Sequence, residues 1–385
     1  EFRRVLFRSI ENISQVDGFS FNQFLRYYWI SKYGWTTDKK LYANFKFHLN
    51  SINKKESFLK AFLDEILINS IHFRRLLNPE FDDYINSNFA DSQKNDKKII
   101  KSLKTIKALN VKQCYVLLLS LFRNAVKVRT KLNDPKKFSS IPRAVAIMIK
   151  NIEVFSLRFH ILGKGQANKV EKSIYHHYAI KIEKLNSKEL SDSKIIKHWT
   201  SILKDSLVLS LENLIDEENI DYTSSIGKLD YSKLNIDYYV INYTFEKINQ
   251  FNYNQKHFSF NDNSTVEHIL PKKPSKWKLK ANEIEDYVNK IGNLIIIEKK
   301  LNRDLSNETL EKKISGIKKS NGEVISYFDD KCNYNLELFK KIKKDLNKKE
   351  FSNNGTKYWD RVRIINRIKT ISVELNDSLD KYLED

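Results

Sequence analysis

The sequence predicts a mainly α-helical protein of two domains, and three observations carry that expectation. First, 385 residues suffice for two domains at the usual roughly 100–200 residues each. Second, nine glycines and five prolines are about 4% of the chain, against an average near 12%, which disfavours sandwiches and loop-rich folds. Third, apolar residues recur with helical spacing over long stretches. With 41% hydrophobic and 30% charged residues the composition is globular.

The elements follow in order. Glu1 to Ser9 reverse-translates into a GAATTC site followed by adapter-like sequence, so a non-native leader is expected over 1–9 and is set aside from the fold. In the aromatic run Phe21, Phe24, Tyr27, Tyr28, Trp29, Tyr33 and Trp35, the spacing of Phe21, Phe24 and Tyr28 places three on one helical face, which favours core over a base-stacking platform. Ser57 is a candidate N-cap, Phe58, Phe62 and Ile66 recur at i+4, and Pro79 follows as a stop. Ile141, Val145, Met148, Ile152, Phe155 and Phe159 form one stripe of a helix ended by Gly163 and Gly165. A polar run from Glu217 to Gly227 is the best linker, dividing a helical domain 10–226 from a second domain 227–385.

A net charge of +20 suits a polyanionic partner, nucleic acid or an anionic membrane surface. The most apolar stretch, Val116 to Phe122, is far short of the roughly 20 residues that cross a bilayer, so the expected location is the cytoplasm with no membrane partner. Cys114 and Cys332 belong to no CxxC pair, which argues against a disulfide framework or a cysteine zinc site. His176, His177 and His198 stand apart from any ligand set.

Chemistry concentrates between Thr265 and Lys319. Thr265-Val266-Glu267-His268-Ile269-Leu270-Pro271 reads as a strand that delivers a histidine to its end before a proline stops pairing. After an insertion with Trp277 and a short helix, Ile291-Gly292-Asn293-Leu294-Ile295-Ile296-Ile297 reads as a second strand entered through a glycine. A charged helical stretch begins at Leu301-Asn302-Arg303. Strand, strand, helix is the expected order. The residue types suit metal-assisted phosphodiester cleavage, in which a histidine takes a proton from water and a hard cation stabilises charge on phosphate. Glu267 and Asn302 offer oxygen ligands for magnesium, which is commonly held by one or two protein groups.

At these residues the sequence resembles the HNH nuclease superfamily with its ββα-metal fold, and more narrowly the C-terminal domain of GmrSD-type, modification-dependent (type IV) restriction endonucleases. The resemblance rests on Glu267-His268-Ile269-Leu270-Pro271, Trp277, Ile291-Gly292-Asn293-Leu294, Asn302 and Lys312-Lys313. Phe24 to Trp29, Leu41 to Phe45 and Ile152 to Gly163 are similar to that family's helical middle region. The resemblance implies a mainly α fold with a small ββα-metal core, His268 as general base, Glu267 and Asn302 on Mg2+ (or Mn2+), and Asn293 bracing the loop around His268. It also implies a DNA partner, modified or plain, and cleavage or nicking in restriction and anti-phage defence. The spacing from His268 to Asn293 is long for the motif and requires an inserted helix. No ParB-like nucleotide-binding sensor domain is matched, so the chain is expected to be a fragment whose N-terminal sensor is missing. Lys272, Lys273, Lys276, Lys299, Lys300 and Arg303 surround the motif and are candidate phosphate contacts. His257, eleven residues before His268, could approach the site but is better read as a surface histidine. The competing expectations are a catalytically idle nucleic-acid or partner-binding module and an RNA-cleaving nuclease.

Overall fold

The computed structural model describes residues 2–15, 18–79, 93–131, 140–186, 192–232, 236–255, 258–259, 263–348 and 358–384. It is mainly helical and divides into two units, Glu1–Ile220 and Asp221–Asp385. Among the described residues no helix is long and apolar enough to cross a membrane. His257 lies outside the described residues.

Among its described residues the first unit has helices and no strand. Its opening residues form a helix, Phe2–Ser14, with Val5, Ser9 and Ile13 buried against the helix Lys55–Leu77. The stretch set aside as a leader is therefore part of the packing. Phe24, Tyr27, Tyr28 and Trp29 on the helix Phe21–Lys32 are core residues, and Phe24 meets Phe73 at 5.5 Å between ring centres. Lys54, not Ser57, precedes the first turn of the helix Lys55–Leu77. The stripe from Ile141 to Phe159 is buried throughout. Its helix Ser140–Phe155, however, continues as a π-helix, Ser156–Leu162. The Phe159 ring, stacked on Phe155 at 5.0 Å, lies against Gly165, where a Cβ would stand 2.1 Å from it.

The polar run expected to be a linker is not irregular chain. Asp221 accepts a hydrogen bond from the Ser224 N–H and so caps a short helix, Tyr222–Lys228, whose Ile226 is buried.

The second unit is built around one antiparallel hairpin. Strand β1 (Ser264–His268) pairs with β2 (Leu294–Glu298), from Ser264 opposite Glu298 to His268 opposite Leu294. Leu294 to Ile297 are all buried, because helix Ile236–Phe251 and helix Lys299–Leu305 both pack on β2. A strand covered on both faces needs a continuous apolar run rather than alternation. Between the strands lie a 3-10 turn, Ser275–Trp277, and the helix Ala281–Val288. Trp277 is buried, with its indole N–H donating to the Glu308 carbonyl at 3.1 Å.

Two boundaries differ from the sequence expectation. Ile291–Asn293 is a 3-10 turn, so β2 begins only at Leu294. The charged stretch after Leu301 is two helices, Lys299–Leu305 and Leu310–Ser315, separated where Ser306 takes φ 49°. A second small hairpin, Ile317–Lys318 with Val324–Ile325, follows. The long C-terminal helix Arg361–Glu384 presses on the 3-10 turn so closely that a Cβ on Gly292 would lie 2.1 Å from the Ile364 carbonyl oxygen. That obstacle is backbone and cannot swing aside. Gly292→Ala should therefore destabilise the second unit by about 1–3 kcal/mol or more, read as a lower denaturation midpoint; an unchanged midpoint would show that the helix is free to shift.

Candidate functional site

The site grows out of the hairpin's closed end. Beyond His268 the regular ladder ends after one more backbone bond, since Pro271 cannot donate and Leu294 ends the partner strand. The Asn293 side chain takes over. Its Oδ1 accepts from the Leu270 N–H at 2.9 Å, and its Nδ2 donates to the Leu270 carbonyl at 2.9 Å, which imitates one rung of a ladder. The same amide donates to the Val288 carbonyl at 2.8 Å and accepts from the Trp359 indole N–H at 3.0 Å. Its backbone carbonyl accepts from Ile269 N–H at 2.9 Å. Asn293 is completely buried, so each of these bonds replaces one that water would otherwise supply.

A second clamp acts on the same turn. Arg367, buried on the C-terminal helix, donates to the carbonyls of Gly292 at 2.9 Å and Leu294 at 2.7 Å. The chain from Ile291 to Leu294 is thereby gripped on both sides of Asn293.

His268 emerges half-buried from this frame. Its Nε2 lies 3.1 Å from Asn289 Oδ1, and its ring stands edge-on to Tyr231 at 5.5 Å. Since Asn289 Oδ1 can only accept, Nε2 carries the hydrogen and Nδ1 keeps a lone pair. Burial, assisted by the charge of Lys272, pushes the imidazole down from 6.5 to about 4. The ring is neutral at neutral pH and able to take a proton.

Glu267 points elsewhere, as the alternation of a strand requires. It is buried, and its Oε1 accepts from the Lys313 ammonium and, at 3.1 Å, from the Tyr327 hydroxyl. Burial raises its pKa, against the opposing pull of Lys313. Asn302, on the helix Lys299–Leu305, donates its amide to the Val266 backbone carbonyl of β1 at 3.4 Å. Among the described residues no group of three or more His, Cys, Asp or Glu stands close enough to hold a metal ion.

The cationic candidates separate into two places. Lys272 lies at the His268 end, with its ammonium 5.7 Å from the centre of the Tyr231 ring, and Lys273 beside it is exposed. Lys276 is paired with Glu308. Lys299, Lys300 and Arg303 instead line the large open cavity, about 1230 Å³, at the other end of the hairpin beside Ser264 and Glu298. Sequence reasoning did not find Asn289, Trp359 or Arg367. Asn289 sits in the insertion and the other two are remote in sequence, so no local pattern ties them to His268.

The hairpin, with a histidine at the end of β1 and the helix Lys299–Leu305 directly after β2, gives the order strand, strand, helix. Residues 216–349 match the family described as GmrSD restriction endonucleases, C-terminal domain. No curated protein and no solved structure matches the chain.

Two measurements test the frame. Asn293→Ala strips partners from four buried groups and should cost on the order of 3 kcal/mol or more in urea unfolding, since each orphaned group costs about 1–3 kcal/mol; a loss below about 1 kcal/mol would show that the bracket is dispensable. The depressed His268 pKa also gives a signed pH dependence. As pH falls from 6.5 towards 4, the unfolded chain binds a proton that the folded ring refuses, so stability should fall across that window. His268→Gln should flatten the decline.

Proposed function

We propose that the second unit is a metal-dependent HNH-type endonuclease or nickase that acts on DNA in a bacterial restriction and anti-phage system in the cytoplasm. The observation that carries this reading is the neutral His268, held at the strand end by the Asn293 bracket in a segment that matches GmrSD C-terminal domains. In this reading His268 Nδ1 accepts the proton of the attacking water. Asn289 keeps the ring in the required tautomer and orientation. Lys272 and Lys273 attract phosphate at the histidine's end of the hairpin, and Lys299, Lys300 and Arg303 do so at the other.

The oxygen donors suit a hard cation in kind. In this reading the cation is Mg2+ or Mn2+, which commonly keeps several waters; Glu267 is turned inward onto Lys313 and Tyr327, so it would have to leave that pair before it and Asn302 could share one metal. When bound, the metal would stabilise charge on the phosphate and the leaving oxygen. Lys313 already occupies one oxygen of Glu267, so cation and ammonium compete for that carboxylate.

That competition is also the observation favouring the second reading, a catalytically idle module that binds nucleic acid or a partner. One set of assays separates the two. In plasmid nicking with Mg2+ or Mn2+, His268→Ala should lower the rate by about 10²–10⁴ while DNA affinity stays within about twofold. The wild-type rate should hold level from pH 8 to about 5 and fall as pH approaches the depressed His268 pKa of about 4. Absence of cleavage by the wild type with either metal would favour the idle module, and faster cleavage of RNA than of duplex DNA would reassign the substrate.

A further inference from the structure

The first unit carries a cationic groove with no role in the reading above. It runs along one continuous helical rod, the π-helix Glu171–Tyr175 followed by the helix His176–Asn186. Its described lining is Lys172, Ser173, His176, His177, Ile180, Lys181 and Lys184, around about 570 Å³. They form two adjacent rows at four-residue spacing, Lys172-His176-Ile180-Lys184 and Ser173-His177-Lys181, and so a single stripe. From Lys172 to Lys184 the stripe extends about 18 Å at 1.5 Å per residue.

A lysine-rich helix face is ordinarily a solvated surface interleaved with acids. Here the acids of the same rod are turned inward. Glu171 is buried and bound through both oxygens by Arg26, and Glu183 accepts from Arg123 at 2.9 Å and from Asn124 at 2.8 Å. The described lining of the groove therefore contains no carboxylate. The lysine stems are also placed in advance. Lys172 stands 5.3 Å above the Trp35 ring and Lys181 4.9 Å above the Tyr178 ring, which lowers the entropy lost when either is fixed by a ligand. His177 has its pKa lowered by burial, by Lys181 and by His176, the sign expected where positive potential accumulates.

We propose that this groove is a binding surface for the phosphate backbone of a nucleic-acid duplex, separate from the hairpin site. Its length spans about five base pairs of duplex at roughly 3.4 Å of axial rise each. The aromatic rings lie beneath the lysines rather than in the groove, so a stacking platform for unpaired bases is lacking among the described lining residues. Ile180, half-buried, is its one apolar side chain, too little to enter a bilayer. Binding there is independent of base sequence.

The test uses the full chain and two triple variants that remove equal charge and keep the side-chain stems. Lys172→Gln with Lys181→Gln and Lys184→Gln alters the groove, whereas Lys54→Gln with Lys55→Gln and Lys60→Gln alters exposed lysines elsewhere in the same unit. Affinity for short DNA and RNA duplexes is measured between about 50 and 200 mM salt, beside single strands and phosphatidylglycerol vesicles. The groove variant should lose about tenfold or more in duplex affinity, with the log–log salt slope shallower by about 2–3; the control should stay within about twofold. Duplex binding by the wild type should also raise the His177 pKa, read by NMR. Equal losses in the two variants, or a groove variant impaired for single strands or vesicles but not for duplex, would overturn the proposal. Neither outcome depends on cleavage, so failure of the nuclease reading leaves this test intact.

Discussion

The Asn293 amide is the constraint on which the second unit turns. A hairpin that ends in a histidine must stop pairing at that residue if the side chain is to be presented, yet the backbone that leaves the strand still carries polar groups in a buried place. Asn293 satisfies them from its side chain and links three pieces of chain: the exit of β1 at Leu270, the insertion at Val288 and the C-terminal segment at Trp359. An aliphatic residue would fill the space but leave the donors and acceptors unpaired. Aspartate would supply acceptors but no donor for the two carbonyls.

The same constraint explains why the insertion and the C-terminal helix belong to the site. The insertion delivers Asn289 to the far nitrogen of His268 and Val288 to the bracket. The C-terminal helix lies beyond the matched segment 216–349, yet it contributes Arg367 to the carbonyls on either side of Asn293. Gly292 is the only residue type that admits so close an approach of that helix. The small hairpin is thus held by packing and hydrogen bonds supplied from both sides of it in sequence.

Electrostatics separates the two members of the Glu-His pair. Strand alternation turns His268 towards Asn289, Tyr231 and Lys272, where burial and positive charge keep it neutral. Glu267 goes to the interior, where Lys313 and Tyr327 receive it. A buried ion pair of this kind is strongly disfavoured to break by loss of one partner, because the other is left as an uncompensated charge. Lys313 therefore both anchors the helix Leu310–Ser315 and sets the condition under which Glu267 is offered to any other cation.

Much of this was legible in the chain itself. Low glycine and proline content and helical periodicity foretold a mainly helical protein, and Phe24, Tyr27, Tyr28 and Trp29 of the aromatic run read correctly as core, while Phe21 is only half-buried. The motif Glu267-His268 followed by Gly-Asn-Leu marked the hairpin, its histidine and its inserted helix, since strand and helix signals are local. Boundaries were less legible. The polar run around Asp221 became a capped helix, and Ile291–Asn293 became a turn, because in each case a particular hydrogen bond outweighed the local propensity. What only the tertiary structure decided is which side chain meets which across long separations: Lys313 on Glu267, Trp359 and Arg367 around Asn293, and the inward turn of Glu171 and Glu183 that leaves the groove cationic. Sequence carries the residue types and their spacing along a strand or helix, but the direction in which a polar group finds its partner is set by the packing of elements far apart in the chain.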